Sequence, residues 1–170
     1  MRLVLEKSLI RDWQLDDCTN LATVANNKNI WRNLADRFPH PYTLEDANSW
    51  ISLLLQQPEP SHWAIVVNNH IAGAIGVDLG EGIFAKTGHI GFWLGESFWG
   101  RGIMSENVPI ISQYALQKFG LTRLETGVFG WNPASMRVLE KSGFVREAVL
   151  KNRIYKDGKI TDHVLYGLVV

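Results

Sequence analysis

Two junctions, each between a strand-like and a helix-like segment, limit what this chain can fold into. The first is Gly100-Arg101-Gly102, which precedes a segment (103–119) whose apolar residues recur at helical spacing. The second is Asn132-Pro133, a capping residue followed by a first-turn proline, which predicts a helix over 133–142. Strand and helix therefore alternate in this half of the chain, which predicts parallel pairing near the middle of a sheet.

The other segments predict antiparallel strands and further helices. Asn68-Asn69 and Asp157-Gly158 are hairpin turn signals, and Thr43 with Asp46 resembles a capping box. Asp16 or Asp17 is predicted to cap the first helix. Strands are predicted at 3–5, 63–67, 71–79, 89–94, 123–128, 144–154 and 161–170, and the earlier helices at 16–27 and 44–57.

Together these segments predict an α+β fold, with a mixed, mostly antiparallel twisted sheet flanked by helices. The 170 residues suit one core, so we expect a single domain over 1–170. The apolar segment 164–170 is predicted as an edge strand, which leaves a homodimer open.

Charge and cysteine content narrow the class of protein. The 17 basic and 17 acidic residues cancel, so no global field draws the chain to nucleic acid or to an anionic membrane. Cys18 is the only cysteine, and no apolar run approaches the ~20 residues that cross a bilayer. We therefore expect a cytoplasmic protein without membrane or nucleic-acid partners. We predict no metal site.

The first junction has the features of an anion site. Backbone N–H groups converge where a helix starts, and the helix dipole reinforces them. Gly100 and Gly102 allow a tight turn and close approach of a phosphate, and Arg101 adds charge. A plain glycine turn is the alternative. Neither a Walker motif nor a Gly-x-Gly-x-x-Gly fingerprint is present.

The second junction carries Asn132 and, in the first turn of its helix, Ser135. Capping alone explains an Asn before a Pro, and most first-turn serines are merely solvated. A ligand contact is the alternative for both residues.

In combination, the two junctions resemble the cofactor-side motifs of the GNAT superfamily of N-acetyltransferases, especially its RimJ/RimL branch. Ser97 stands where the superfamily commonly has Gln or Arg, a departure that is usual in that branch. The matching motifs are Gly91-Phe92-Trp93-Leu94, Trp99-Gly100-Arg101-Gly102-Ile103-Met104-Ser105-Glu106, Asn132-Pro133-Ala134-Ser135, Glu140-Lys141-Ser142-Gly143-Phe144, Trp31-Arg32-Asn33-Leu34 and Arg37-Phe38-Pro39-His40-Pro41-Tyr42-Thr43.

The resemblance implies acetyl-CoA as cofactor, held where two central parallel strands splay apart. The pantetheine arm is expected along Phe92, Trp93 and Leu94 as an added strand would lie. The pyrophosphate is expected on main-chain N–H groups of the turn, and Asn132 and Ser135 at the thioester end. The turn residues are Gly100, Arg101, Gly102, Ile103, Met104 and Ser105.

The catalytic groups are harder to name. Many GNAT enzymes have a tyrosine acid four residues before the Gly-Phe pair, but Leu139 stands there. In the RimL-like branch a serine at the position of Ser135 is the usual candidate, so the resemblance implies Ser135 as the proton donor. A strand N–H near Leu94 is expected to hold the oxyanion. His89 is the predicted base, with a half-exposed strand residue as the alternative. Glu81, Glu106 and ordered water are rival candidates for the base.

The resemblance places an acceptor wall in the irregular amino-terminal segment, at Trp31, Asn33, Phe38 and His40, where core packing is the alternative for each. The predicted function is acetyl transfer to a primary amine, most simply a protein or peptide N-terminus. Two alternatives stay open: a small amine such as a polyamine or aminoglycoside as acceptor, and a catalytically weak module that senses acetyl-CoA.

Overall fold

The computed structural model describes all 170 residues, and its elements follow the predicted order with one more strand and one more short helix near the amino terminus. The strands are β1 (Arg2–Val4), β2 (Leu9–Arg11), β3 (His62–Val67), β4 (His70–Leu79), β5 (Thr87–Leu94), β6 (Arg123–Phe129), β7 (Val145–Lys156) and β8 (Lys159–Val169). The α-helices are α1 (Cys18–Ala25), α2 (Lys28–Trp31), α3 (Leu44–Leu55), α4 (Ile103–Lys118) and α5 (Pro133–Lys141). The sequence pattern gave no sign of β2, which has only three residues.

The strands form one sheet in the order β1-β2-β3-β4-β5-β6-β8-β7. Successive strands from β1 to β4 pair antiparallel, as does β8 with both β6 and β7. Only β5 and β6 pair parallel, and their ladder joins Thr87–His89 to Arg123–Glu125 although both strands continue further. The predicted α+β fold, with a mostly antiparallel sheet and a splayed parallel pair, is confirmed.

The predicted edge position of the carboxyl-terminal strand is wrong. β8 lies between β6 and β7, and β7 is the edge strand. Asp157 and Gly158 both have positive φ and close a tight hairpin, so β7 folds back on the outer side of β8. The apolar residues of 164–170 thus belong to an interior strand.

The chain divides into two compact units, and the first comprises Met1–Gly76 and Phe92–Ile103. Its core packs one face of α1 and α3 against β3 and β4. The core residues are Trp13, Cys18, Leu21, Ala25, Tyr42, Ala47, Ile51, Leu54, Ala64, Val66 and Ile71. Thr43 and Asp46 form the predicted capping box at the start of α3.

Asp17 does not cap α1 as the sequence predicted. It stands at the N-cap position, but its carboxylate makes no capping bond to the helix. A 3-10 turn over Leu15–Asp17 precedes α1, so the carboxylate instead accepts two hydrogen bonds from Arg11, at 2.7 and 2.8 Å. Asp17 therefore anchors β2.

The second unit comprises Val77–Gly91 and Met104–Val170. The predicted apolar stripe of α4 is buried at Met104, Val108, Ile111, Ala115 and Leu116. Leu139 of α5 is fully buried, and the Tyr166 hydroxyl donates to Glu140 Oε1 at 2.9 Å. Because Tyr166 is buried and pairs with buried Thr126, α5 covers the face of β6 and β8 that carries these two residues. Whether residues 1–170 act as one domain stays a prediction.

Candidate functional site

The β5–α4 junction has the backbone that an anion site needs. Gly100 and Gly102 have φ of +75° and +76°, a conformation that costs residues with a Cβ about 1–2 kcal/mol. A Cβ added at Gly100 would meet nothing within 4 Å, so the main chain there is open to a ligand. Ile103 and Met104 bury their side chains at the start of α4, so only their main-chain groups are available. These residues fit a phosphate group held by backbone N–H donors.

Two hydrogen bonds fix the chain ahead of this turn. The Trp99 indole N–H donates to the Leu94 carbonyl at 2.7 Å, and the Gly95 N–H donates to the Ala72 carbonyl at 2.7 Å. The end of β5 and the turn are therefore held together within the first unit.

Two basic residues, Arg101 and Lys7, lie near the turn. The Arg101 guanidinium carbon lies 5.6 Å from the centre of the Phe98 ring, within the range of a cation–π contact. Lys7, from the loop after β1, places its Cε 3.6 Å from where a Cβ of Gly102 would be. Sequence reasoning missed Lys7, because nothing in the pattern links a residue so far away in the chain to this turn.

The strand residues predicted for the pantetheine arm differ in burial. Phe92 and Trp93 are half-buried and Leu94 is buried. The Trp93 ring packs edge-on against Phe38, with 5.6 Å between ring centres, and joins the core of the first unit. Part of the Trp93 side chain is therefore occupied by packing within the first unit.

The β6–α5 junction brings Asn132 and Ser135 together. Asn132 caps α5 by accepting a hydrogen bond from the Ser135 N–H at 3.2 Å, and its Nδ2 donates to Ser135 Oγ at 3.1 Å. The Asn132 N–H donates to the Phe129 carbonyl at 2.9 Å, which ties the cap to the end of β6. The predicted capping role of Asn132 is confirmed, and it also holds the serine hydroxyl.

The four residues of the predicted acceptor wall make different contacts. Trp31 and His40 lie with ring centres 5.6 Å apart, whereas Phe38 packs on Trp93 and Tyr42 in the core of the first unit. Asn33 donates to the Asn29 carbonyl at 2.9 Å as part of the turn after α2.

A carboxylate joins this segment to the loop after β5. Glu96 accepts hydrogen bonds from the amides of Asn27, at 2.7 Å, and Asn29, at 3.0 and 3.1 Å. These bonds, to Asn27 first, lower the pKa of Glu96. We call this set the Glu96 clasp, and sequence reasoning did not foresee it.

The predicted base, His89, is an exposed residue of β5 and pairs in register with Glu125 of β6. The structure adds a second imidazole, His163 of β8, whose pKa is lowered by burial and then by the charges of Arg153 and His89. The rival Glu81 is exposed in the loop after β4, and Glu106 is half-buried in the first turn of α4. Sequence reasoning did not consider His163, which lies in a strand with no recognisable motif.

No group of three or more His, Cys, Asp or Glu side chains is arranged to hold a metal ion. None of the helices has the length and apolar character that crossing a bilayer requires.

Comparisons with known proteins identify the family and support the fold. Residues 7–145 match the family described as acetyltransferase (GNAT) domain. Probable N-acetyltransferase YjcK of Bacillus subtilis is 37% identical over 84 residues, which cover 49% of this chain and 46% of YjcK. The ribosomal-protein-serine acetyltransferase of Escherichia coli is 32% identical over 85 residues, 50% of this chain and 48% of that protein. The chain thus spans about half the length of these two relatives.

A solved structure extends the likeness to the whole chain. The structure of RimL, a ribosomal L7/L12 alpha-N-protein acetyltransferase in complex with coenzyme A, superposes with a TM-score of 0.85. The match covers 99% of this chain and 97% of RimL at 24% identity, so it supports the fold.

The open glycine turn and the capped serine lie at the two junctions that the sequence analysis identified. The family match then identifies the class: the chain belongs to the GNAT acetyltransferase family.

Proposed function

We propose that this chain transfers an acetyl group from acetyl-CoA to the α-amine of a protein or peptide N-terminus, with residues 1–170 acting as one domain. The observation that carries the cofactor part is the β5–α4 junction, where two glycines with positive φ leave the main chain open at the start of α4. The names of two similar proteins, a ribosomal-protein-serine acetyltransferase and RimL, support a protein N-terminus as acceptor.

The residues that hold the cofactor in this proposal fall into two sets. Main-chain groups of Phe92, Trp93 and Leu94 bind the pantetheine arm, and those from Gly100 to Ser105 bind the pyrophosphate. Asn132 and Ser135 bind near the thioester. When bound, acetyl-CoA supplies an acetyl group on a good thiol leaving group.

In this proposal, side chains of the protein donate and accept the protons of the reaction. Ser135 Oγ already accepts a hydrogen bond from Asn132, so the hydroxyl proton is left to be donated elsewhere. We assign Ser135 the role of proton donor to the leaving sulfur. His89 is the sequence-derived candidate for the proton acceptor, and a main-chain N–H near Leu94 is proposed to stabilise the oxyanion.

The acceptor wall in this proposal combines Trp31, Asn33, Phe38 and His40. The Glu96 clasp ties this segment to the loop between β5 and α4. A peptide N-terminus needs a surface that contacts backbone and side chains beyond the amine, and the exposed His40 next to Trp31 provides part of one. The buried, unpaired Cys18 suits a reducing cytoplasm.

A thiol-release assay with acetyl-CoA tests the proposal. The acceptor panel contains peptides with different N-terminal residues, polyamines and aminoglycosides, and mass spectrometry locates the added acetyl group. We expect transfer to the α-amine of at least one peptide. Transfer to the small amines alone would replace the acceptor, and binding of coenzyme A without any transfer would indicate a sensor module.

A further inference from the structure

His163 is a half-buried imidazole whose ring occupies a slot in the sheet of the second unit. A Cβ at Gly127 would lie 1.9 Å from His163 Nε2 and 2.5 Å from Cε1, so the ring fits only because residue 127 has no side chain. The Phe129 ring borders it, with 6.4 Å between ring centres at a steep angle. A glycine within a strand weakens the strand, and a close approach of another group is a common reason for it.

One nitrogen of this ring lacks a partner. His163 Nδ1 is buried and makes no hydrogen bond within the protein. A buried polar atom without a partner costs about 1–3 kcal/mol, which is unusual unless a function retains it. Packing alone therefore does not explain why an imidazole with an unpaired nitrogen occupies this slot.

Strand register places His163 beside the second junction. It pairs with Phe129, the last residue of β6, whose carbonyl accepts the hydrogen bond from Asn132. The Gly130 N–H donates to the Asp162 carbonyl at 2.8 Å, which fixes β8 against the same turn. His163 is thus held within a few residues of the cap that positions Ser135.

The cationic groups near His163 disfavour its protonated form, and the nearby carboxylates are paired with other side chains. His89 on β5 and Arg153 on β7 lower the pKa of His163, after burial, which has the largest effect. Glu125 lies two residues before Gly127 on the same face of β6, but Arg123 binds it at 2.9 Å. Asp162, the preceding residue on β8, is bound by Lys151 at 2.9 Å. His163 therefore stays neutral at pH 7 and able to accept a proton.

We propose that His163, and not His89, accepts the proton from the acceptor amine. The ammonium R–NH3⁺ loses one proton to the imidazole, which gives the free amine R–NH2 and an imidazolium, and the imidazolium then returns the proton to solvent. His89 tunes His163 through its charge. This assignment rests on the proposed function, since it requires an amine acceptor.

The test combines NMR titration of the histidine imidazoles with the pH dependence of kcat at saturating substrates. In the wild type, we expect an imidazole that titrates below 6.5 and kcat to fall with that ionisation as pH is lowered. His163→Asn should remove the resonance and lower kcat at pH 7 by about 10²-fold or more. The residual rate should then follow the ionisation of the free α-amine, near pH 8.

Three further variants make the test specific. Gly127→Ala displaces the ring and should reproduce the kcat loss of His163→Asn while affinity for coenzyme A is retained. The charge of His89 lowers the pKa of His163, so His89→Asn should shift the fall of kcat at low pH to a higher pH, with only a small loss of kcat. His70→Asn, an exposed histidine at the start of β4, is the matched control and should leave both readouts unchanged.

The outcomes separate the two proposals. If the fall of kcat at low pH is unchanged in His163→Asn, or if that fall disappears in His89→Asn, the assignment of the proton acceptor to His163 is wrong, while the proposed function stands. A wild-type protein that binds coenzyme A but acetylates no peptide overturns the proposed function, and the assignment with it.

Discussion

Asn132 and Ser135 are joined by two hydrogen bonds that run in opposite directions. The Asn132 side-chain oxygen accepts from the Ser135 N–H at 3.2 Å, and its Nδ2 donates to Ser135 Oγ at 3.1 Å. The cap that starts α5 is thus also the group that orients the serine hydroxyl. The observed capping role and the proposed catalytic role therefore fall on the same residue pair, which explains why sequence reasoning could not separate them.

The proton-donor role of Ser135 predicts a selective loss of turnover. Ser135→Ala should lower kcat by about 10²- to 10⁴-fold, because the leaving sulfur loses its proton donor. Affinity for coenzyme A, measured by calorimetry, should change by less than about tenfold, since one hydrogen bond is worth about 1 kcal/mol. Ser142→Ala, at the other end of α5, is the control, because the Ser142 hydroxyl donates only to the Val138 carbonyl. Near-normal turnover of Ser135→Ala would contradict the assignment.

The open turn predicts a loss of cofactor affinity that a matched glycine does not share. Gly100→Ala should cost roughly 1–2 kcal/mol of strain or shift the main chain, and so weaken coenzyme A binding by about tenfold. Gly82→Ala is the matched control, because Gly82 also has a positive φ, of +57°, and an added Cβ there would also meet nothing within 4 Å. We expect both variants to lose similar stability in urea unfolding. Equal coenzyme A affinities in the two variants would exclude the turn as the phosphate site.

The Glu96 clasp predicts that one carboxylate controls the mobility of α2. Glu96→Ala removes the hydrogen bonds from Asn27 and Asn29, so hydrogen exchange of the α2 amides should become several-fold faster. The clasp lowers the pKa of Glu96. The stabilisation by the clasp is therefore present above pH 4.5, the ordinary pKa of a glutamate, and is lost as pH falls through the lowered pKa of Glu96. Exchange in the wild type, corrected for intrinsic rates, should approach that of the variant at low pH. Glu45→Ala, an exposed carboxylate on α3, should leave α2 unchanged.

The capping box of α3 predicts a pH-dependent stability difference. Thr43→Ala should lower the free energy of unfolding by about 1 kcal/mol, because the Asp46 N–H and carboxylate both lose the hydroxyl. Hydrogen bonds from Thr43 lower the pKa of Asp46. This stabilisation is therefore present above pH 3.8, the ordinary pKa of an aspartate, and is lost as pH falls through the lowered pKa of Asp46. Urea unfolding at pH 7 and in acid should therefore show a difference that shrinks with acidity. Thr23→Ala, which removes an exposed hydroxyl within α1, should show no such pH dependence.

Local signals in the sequence were sufficient for most elements of the fold. The capping pair Thr43 and Asp46 started a helix where predicted, and Asp157-Gly158 closed a hairpin. Such features act over a few residues, so they can be recognised in one chain without its neighbours. The three-residue strand β2 could not be predicted, because it is too short for an alternating pattern and exists through pairing with β1 and β3.

The sequence by itself determined the two junctions, since glycine conformation, capping and proline placement are local properties. The motifs at those junctions were also sufficient to indicate the family that the family match confirms. Only the tertiary structure decided which distant side chains meet. It placed β8 inside the sheet, bound Glu96 to Asn27 and Asn29, and set His163 into the slot over Gly127. These contacts depend on strand order and on packing between segments far apart in the chain, and no local pattern encodes them.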